Sequence, residues 1–186
     1  MSPAHPVYLE TPRLLIRSLE DTDLDTVFDI YQDPDIQRFT PADPWQDRAS
    51  ALLWLERNRE RTAAGTARQC VLIRREDQRL IGTCVLFRID PTARSCELGY
   101  TLEQSARGYG YMNEALRVLI NHAFDTTVLN RIEARISPDN AASAGVLKRL
   151  GFQQEGLLRQ CSFFNGEIAD SMIFGLLRED WRALAA

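Results

Sequence analysis

Apolar and polar positions alternate along this chain with two periods, near 2 and near 3.6, and the switches between them mark out a series of strands and helices. The run Arg13 to Leu19 has strand character. Leu24, Val27, Phe28 and Tyr31 then recur at i, i+3, i+4 and i+7, a helix with Thr22 and Asp25 as a capping-box-like start and Asp33-Pro34 as its stop. A second helix is expected from Gln46 to Thr62, closing towards Gly65, with the less regular apolar positions Leu52, Leu53 and Leu55. A meander follows: Gln69 to Arg74, Leu80 to Arg88 after the polar turn Glu76-Asp77-Gln78, and Ser95 to Leu102 after Asp90-Pro91. Next come a helix from Gly110 to Phe124, a strand from Arg131 to Ile136, and a helix opened by Pro138-Asp139-Asn140 and stopped at Leu150-Gly151. Strands at Phe152 to Leu158 and Asp170 to Leu177 flank a loop containing Asn165-Gly166. The expected fold is α/β: a mixed, mostly antiparallel central sheet of about seven strands with helices on both faces.

At 186 residues with 45% apolar content, one domain spanning residues 1–186 is expected. A net charge of -4 argues against a nucleic-acid surface, which normally shows as a basic face or stripe, and suits a cationic partner better. The start, MSPAHPVYLE, has no apolar export region, and no apolar stretch approaches the roughly 18 residues of a membrane span, so a cytoplasmic protein is expected. Cys70, Cys84, Cys96 and Cys161 lack the paired spacings of zinc or redox motifs, and three fall in strand-like segments, which fits free thiols in a reducing compartment. Of the two histidines, His5 lies in a Pro-flanked terminus and His122 on the polar side of a helix lined by Leu116, Leu119, Ala123 and Phe124. Serine–histidine triads and histidine metal sites are thereby set aside, and no metal is expected.

The candidate chemistry lies where the strand Glu97-Leu98-Gly99-Tyr100-Thr101-Leu102 runs through Ser105-Ala106-Arg107-Gly108-Tyr109-Gly110-Tyr111 into a helix. A glycine-bearing turn at a helix start aims backbone N–H groups and the positive end of the helix dipole at one spot, which suits a phosphate or pyrophosphate. Two glycines in such a turn also have a purely conformational explanation. Asn113 breaks the dinucleotide pattern G-x-G-x-x-G, and no G-K-[ST] follows, so neither a dinucleotide fingerprint nor a P-loop is present.

Downstream, Ser137-Pro138-Asp139-Asn140-Ala141-Ala142-Ser143 leads into a helix ending Leu150-Gly151-Phe152. With the Arg-Gly-Tyr-Gly-Tyr loop, this resembles the GCN5-related N-acetyltransferase superfamily. The opening Leu9-Glu10-Thr11-Pro12-Arg13-Leu14-Leu15-Ile16-Arg17 and the late Phe164-Asn165-Gly166-Glu167 with Asp170 look like its RimJ/RimL branch, so the resemblance spans Leu9 to Trp181. It implies an acetyl-CoA-dependent N-acetyltransferase, with acetyl-CoA as cosubstrate and a protein or peptide α-amine as acceptor, and a homodimer is a further expectation. A small amine, such as a polyamine or an aminoglycoside, is the alternative within the enzyme class, and a catalytically silent acyl-CoA-binding module the alternative outside it. The family's pyrophosphate loop falls on Ser105 to Gly110, matching Gly108 and Gly110 but not the first position, and so assigns Arg107, Gly108, Tyr109, Gly110 and Tyr111 to the cofactor. In the family the preceding strand splays from its neighbour at a bulge, which sets Tyr100, Thr101 and Leu102 beside the pantetheine arm; Asn140 matches the asparagine whose amide contacts that arm, and Ser143 is likewise assigned to the cofactor.

An amine must be neutral to attack a thioester, and a positioned carboxylate can accept its proton. Glu97 is the expected base: it alternates with Leu98 and matches the glutamate used by some family members, although a solvated or arginine-paired strand glutamate is the plainer reading. The glutamate that RimL-like enzymes use elsewhere is matched here by Ser162. Ser143 matches a serine proposed as proton donor, against a plain role packing beside the cofactor arm; the family's frequent tyrosine four residues later is Leu147. Asn140 doubles as a favoured helix N-cap. The acidic run Glu20, Asp21, Asp23, Asp25, Asp29, Asp33 and Asp35 reads as a solvated helix face, or as an attractor for a cationic acceptor such as a basic protein N-terminus. Trp45, Trp54 and Phe39 read equally as core or as acceptor-pocket lining.

Overall fold

The computed structural model describes residues 6–40, 45, 47–164 and 167–185; His5, Gln46 and the Asn165-Gly166 loop lie outside them. Five strands, β1 (Tyr8–Glu10), β2 (Leu14–Ser18), β3 (Ala67–Arg74), β4 (Arg79–Asp90) and β5 (Ser95–Leu102), form an antiparallel meander. β6 (Arg131–Ile136) lies parallel to β5, and β7 (Gln153–Phe164) and β8 (Glu167–Leu177) form a hairpin inserted so that the order is β1-β2-β3-β4-β5-β6-β8-β7. A parallel pair needs a crossover, and α4 (Tyr111–Thr126) supplies it.

Strand alternation divides the apolar residues between two layers. Cys70 and Leu72 face α4, α5 (Ala141–Arg149) and Trp181 of α6 (Arg178–Ala185) in the larger core. Val71 and Ile73 face Val27 and Ile30 of α1 (Leu24–Tyr31) and Ile36 of α2 (Pro34–Gln37). α3 (Arg48–Ala63) adds Ala51 and Leu55 against Leu24 of α1. The mixed, mostly antiparallel sheet with helices on both faces is thus observed, with eight strands among the described residues rather than about seven.

The differences have local causes. β1 is three residues long, too short to show a period, and is defined by its hairpin with β2. Asp33-Pro34 ends α1 and also opens α2, because Pro34 takes the first helical position while Asp33 Oδ1 accepts from Asp35 N at 2.9 Å. The capping box lies earlier than Thr22 and Asp25: Asp23 Oδ2 accepts from Glu20 N at 2.8 Å across a 3-10 turn, Asp21–Asp23. In α3, Leu52 and Leu53 are half exposed and only Leu55 of the expected trio is buried, since the inward face follows Ala51, Leu55 and Asn58. β7 runs beyond Leu158 through an irregularity where Gln160 takes φ 51° and its N–H donates to Asp170 Oδ1 at 2.8 Å. The four cysteines are free, three of them buried and Cys161 exposed.

The acidic run is largely committed to arginines. Asp23, buried, accepts from Nη1 and Nη2 of Arg17, each at 2.7 Å, while Asp21 pairs with Arg59 and Asp25 with Arg48. Removing one partner of a buried pair leaves the other charge uncompensated. Asp23→Ala is therefore expected to lower unfolding stability by about 3 kcal/mol, read by urea denaturation, whereas Asp25→Ala, at an exposed pair, changes it by less than about 1 kcal/mol.

Candidate active site

The site begins where two strands part. β5 and β6 pair only from Ser95↔Arg131 to Glu97↔Glu133, whereas β5 stays paired with β4 as far as Gly82↔Leu102. On the side facing β6, the backbone of residues 98–102 has no strand partner, and unpaired backbone groups at such an edge are available to a ligand. The bulge expected with this splay is on the other neighbour: the β4–β5 register shifts between Phe87 and Asp90, where Arg88 takes φ 50°, and is regular from Glu97 to Leu102.

The opening leads into a cleft of about 790 Å³, within the range of ligand pockets. Tyr100, Thr101 and Leu102 form one wall and Asn140 to Ser143 the other, with Gly108, Gly110 and the first turn of α4 at its end. Asp35, Ile36 and Phe39 close it from the α2 side. Of the residues expected to hold a cofactor, Tyr109 alone is absent from the lining; the residue is 65% exposed.

Gly108 and Gly110 take φ 86° and 81°, the left-handed region that favours glycine. A Cβ on Gly108 meets nothing within 4 Å, so the backbone angle and not space calls for glycine there. Gly110 is the N-cap of α4, and the first intrahelical bond is Glu114 N to Gly110 O at 3.1 Å. The N–H groups of Tyr111, Met112 and Asn113 are therefore left over at a helix start lining the cleft, the arrangement that binds anions. Asn113 Oδ1, an acceptor and so no ligand for an anion, is buried without a hydrogen-bond partner. Ser105, at the departing first position, donates to Glu103 Oε1 at 2.7 Å.

Across the cleft, Asn140 Oδ1 accepts from Ser143 N at 3.0 Å and caps α5. Ser143 is buried, with its Oγ 2.6 Å from the Tyr100 hydroxyl. Burial pushes the Tyr100 phenol up to about 12, against the opposing effects of the Ser143 hydrogen bond and the Arg149 charge. The pair is therefore neutral and protonated at physiological pH. Leu147 is fully buried in the larger core, so the position of the family's frequent tyrosine has no acid–base group.

Glu97 is not among the cleft-lining residues. It is 9% exposed and arginine-paired, with Arg88 Nη1 at 2.5 Å and Arg135 Nη2 at 3.7 Å. The pairing continues from Arg135 through Glu133 and Arg131 to Glu155, a line of alternating charges across β5, β6 and β7. Glycine at 175 accommodates it, since a Cβ there would lie 2.5 Å from Arg131 Nη1 and 2.3 Å from Glu155 Oε1. By strand alternation Glu97 shares a face with Thr101, whose hydroxyl donates to Tyr31 Oη at 3.5 Å. Ser162 donates to Ala169 O within the β7–β8 hairpin.

Tyr31, Trp45 and Trp54 pack on one another, with centroids 4.9 Å apart for Tyr31–Trp45 and 5.0 Å for Trp45–Trp54, and they belong to the cores beneath α1 and α3. Phe39 lines the cleft. Sequence reasoning missed Asp35, Ile36, Asn113 and Arg149 as lining residues. Arg149 had a signal in its i,i+4 spacing from Gly145, over which its guanidinium lies 3.4 Å from where a Cβ would be. Among the described residues no group of His, Cys, Asp and Glu is arranged to hold a metal, and no helix is long and apolar enough to cross a membrane.

Residues 13–153 match the model of the Acetyltransferase (GNAT) domain. The chain is 33% identical to the Uncharacterized N-acetyltransferase p20 of Bacillus licheniformis, over 93% of this chain and 97% of that protein. It is 29% identical to the [Ribosomal protein uS5]-alanine N-acetyltransferase of Escherichia coli strain K12, over 94% and 93% of the two chains. The spermidine N-acetyltransferase of Vibrio cholerae, solved with CoA and spermine, superposes with a TM-score of 0.82 at 20% identity, covering 92% of this chain and 99% of that one, and so shares the fold.

Proposed function

The chain belongs to the GNAT acetyltransferase family, and from that premise we propose that its cleft binds acetyl-CoA and that the acetyl group passes to the α-amine of a protein or peptide. The observation that carries the cofactor reading is the continuity of three features: unpaired β5 backbone, a left-handed glycine loop, and free N–H groups at the start of α4. A long, thin ligand with an amide-bearing arm and a pyrophosphate suits them in that order.

In the proposed reaction the neutral amine attacks the thioester carbonyl carbon, and β5 N–H groups stabilise the oxyanion that forms. Collapse of the tetrahedral adduct breaks the C–S bond. The departing thiolate takes a proton from Ser143 Oγ, which Tyr100 replenishes across 2.6 Å. The proton lost by the amine goes to Glu97, directly or through a water, once its carboxylate shifts from Arg88, whose side chain is 65% exposed. Glu97→Gln is expected to lower kcat about tenfold or more while leaving CoA affinity within about twofold. Wild-type kcat in Glu97→Gln across pH 6 to 9 would transfer the base role to water or to another carboxylate.

The α-amine acceptor is supported by the uS5-alanine N-acetyltransferase, similar over nearly its full length. The net charge of -4 favours a basic N-terminus, although Asp21, Asp23 and Asp25 already have arginine partners. The test is kcat/KM for a basic N-terminal peptide, an acidic one, the basic one N-acetylated, and spermidine. Turnover of the free-amine peptides that the acetyl block abolishes is expected, the basic one being preferred at low salt; turnover of spermidine alone would replace the protein acceptor by a small amine.

A further inference from the structure

The segment Thr11-Pro12-Arg13 takes no part in the reaction just described, and nothing in its composition suggests a ligand. It forms the turn between β1 and β2, pinned by Leu14 N donating to Thr11 Oγ1 at 2.8 Å and by Arg75 Nη1 donating to Thr11 O at 2.8 Å. From that turn three donors converge on one carboxylate about 100 residues away. Thr11 Oγ1 donates to Glu114 Oε1 at 2.5 Å, Arg13 N to the same oxygen at 3.1 Å, and Arg13 Nε to Glu114 Oε2 at 2.7 Å. The same guanidinium reaches past α4 into the glycine loop, where Nη1 donates to Tyr109 O at 3.0 Å, and its carbon stands 4.6 Å from the Tyr111 ring centroid.

Glu114 carries the first intrahelical bond of α4, accepted by Gly110, the residue whose φ of 81° starts the helix. A carboxylate in the first turn complements the helix dipole but competes with any anion bound at the same terminus. Arg13 offsets that charge and ties both sides of the left-handed turn, Tyr109 before it and Glu114 after it, to the edge of the sheet.

We propose that Thr11 and Arg13 form a brace for the cofactor loop, with Arg13 as a positioning residue that acts through Glu114 and the Tyr109 carbonyl to keep the N–H groups of residues 108–113 convergent. The brace makes two contributions. It holds the loop in its left-handed conformation before any ligand arrives, and it neutralises Glu114 so that the helix terminus remains attractive to a phosphate. Charge-assisted, bidentate geometry of this kind is specific to arginine, and lysine reproduces the charge but not the fork.

The inference that the braced loop serves acetyl-CoA rests on the proposed function, but the brace itself can be read without cofactor. In the ligand-free protein, amide hydrogen exchange at residues 108–113 is expected to quicken in Arg13→Ala, with exchange in β3 and β4 unchanged. With CoA in calorimetry and acetyl-CoA in kinetics, Arg13→Ala is expected to raise Kd and KM about tenfold, the scale of one charge-assisted hydrogen bond, and to leave kcat within about twofold. Arg13→Lys is expected to recover part of the loss. Adding Glu114→Gln to Arg13→Ala removes the exposed negative charge and is expected to recover affinity about threefold. Unchanged exchange and unchanged KM in Arg13→Ala would overturn the brace. So would a loss of affinity that Glu114→Gln leaves untouched, since Arg13 would then act on the phosphate directly. A wild-type protein that binds no CoA, with exchange at residues 108–113 still dependent on Arg13, would overturn the cofactor reading and leave the brace intact.

Discussion

Gly110→Val is expected to remove most acetyl-CoA binding from a protein that stays folded. Gly110 sits at φ 81°, where a non-glycine residue is disfavoured by roughly 1–2 kcal/mol and a β-branched one by more. Its Cβ would stand 3.7 Å from Arg13 Nη2, an ordinary contact, so the backbone angle and not space excludes valine. The chain relieves the strain by leaving the left-handed region, which turns the N–H of Tyr111 away from its neighbours. Losing one charge-assisted contact to a phosphate raises Kd about tenfold and losing two about a hundredfold. Calorimetry against CoA is expected to find an increase within that range, with a thermal midpoint close to wild type because the loop is exposed. Gly108→Ala, which meets open space, is expected to cost less. An unchanged Kd in a folded Gly110→Val protein would mean that the loop does not hold the cofactor.

Ser143→Ala is expected to produce the largest fall in turnover with the smallest effect on binding. The hydroxyl lies in the cleft, buried and backed by Tyr100, so in the proposed reaction its removal would deprive the thiolate of its proton source without disturbing the Asn140 cap, which uses the Ser143 backbone N–H. General-acid steps contribute about 10²–10⁴-fold, and a thiolate is a good enough leaving group that the lower end applies. A kcat reduced about a hundredfold with CoA affinity unchanged is the expected result. Tyr100→Phe is expected to have the same character and a smaller size, because solvent can reprotonate Ser143. Because burial holds the Tyr100 phenol near 12, whereas an ordinary phenol is half ionised at about pH 10, kcat is expected to show no loss through this group between pH 9 and 10. Equal kcat for wild type and Ser143→Ala would restrict Ser143 to packing beside the cofactor.

The cleft was legible because its signals are local. Between Glu97 and Tyr111 the chain changes from strand to helix through two glycines at left-handed angles, and a second strand-to-helix change at Asn140 repeats the pattern opposite. What stayed hidden depends on partners distant in sequence. The arginines on Glu97 come from β4 and β6, and the two on Asp21 and Asp25 come from α3, so the acidic run looked unpaired when read alone. The helix α6 is eight residues long and, among its described residues, only Trp181 is buried, its indole N–H donating to Asn121 Oδ1 at 2.5 Å, too short a run for its apolar positions to stand out in the sequence. In the sequence Thr11 and Arg13 stand out only as part of a family resemblance and, for Arg13, as the start of a strand; their bonds to Glu114 span about 100 positions, a distance over which hydrophobic patterning is silent.

The central claim is that the cleft turns over acetyl-CoA rather than merely holding it, and the most direct measurement is free-thiol release from acetyl-CoA with a panel of amines. The panel contains α-amine peptides, spermidine and an aminoglycoside, each run with and without protein. Release above the protein-free rate with at least one amine, in proportion to acetylated product and sharply reduced in Ser143→Ala, is the predicted result. Saturable CoA binding with no thiol released by any amine would contradict it, and would make the chain an acyl-CoA-binding module that has kept the loop without the transfer.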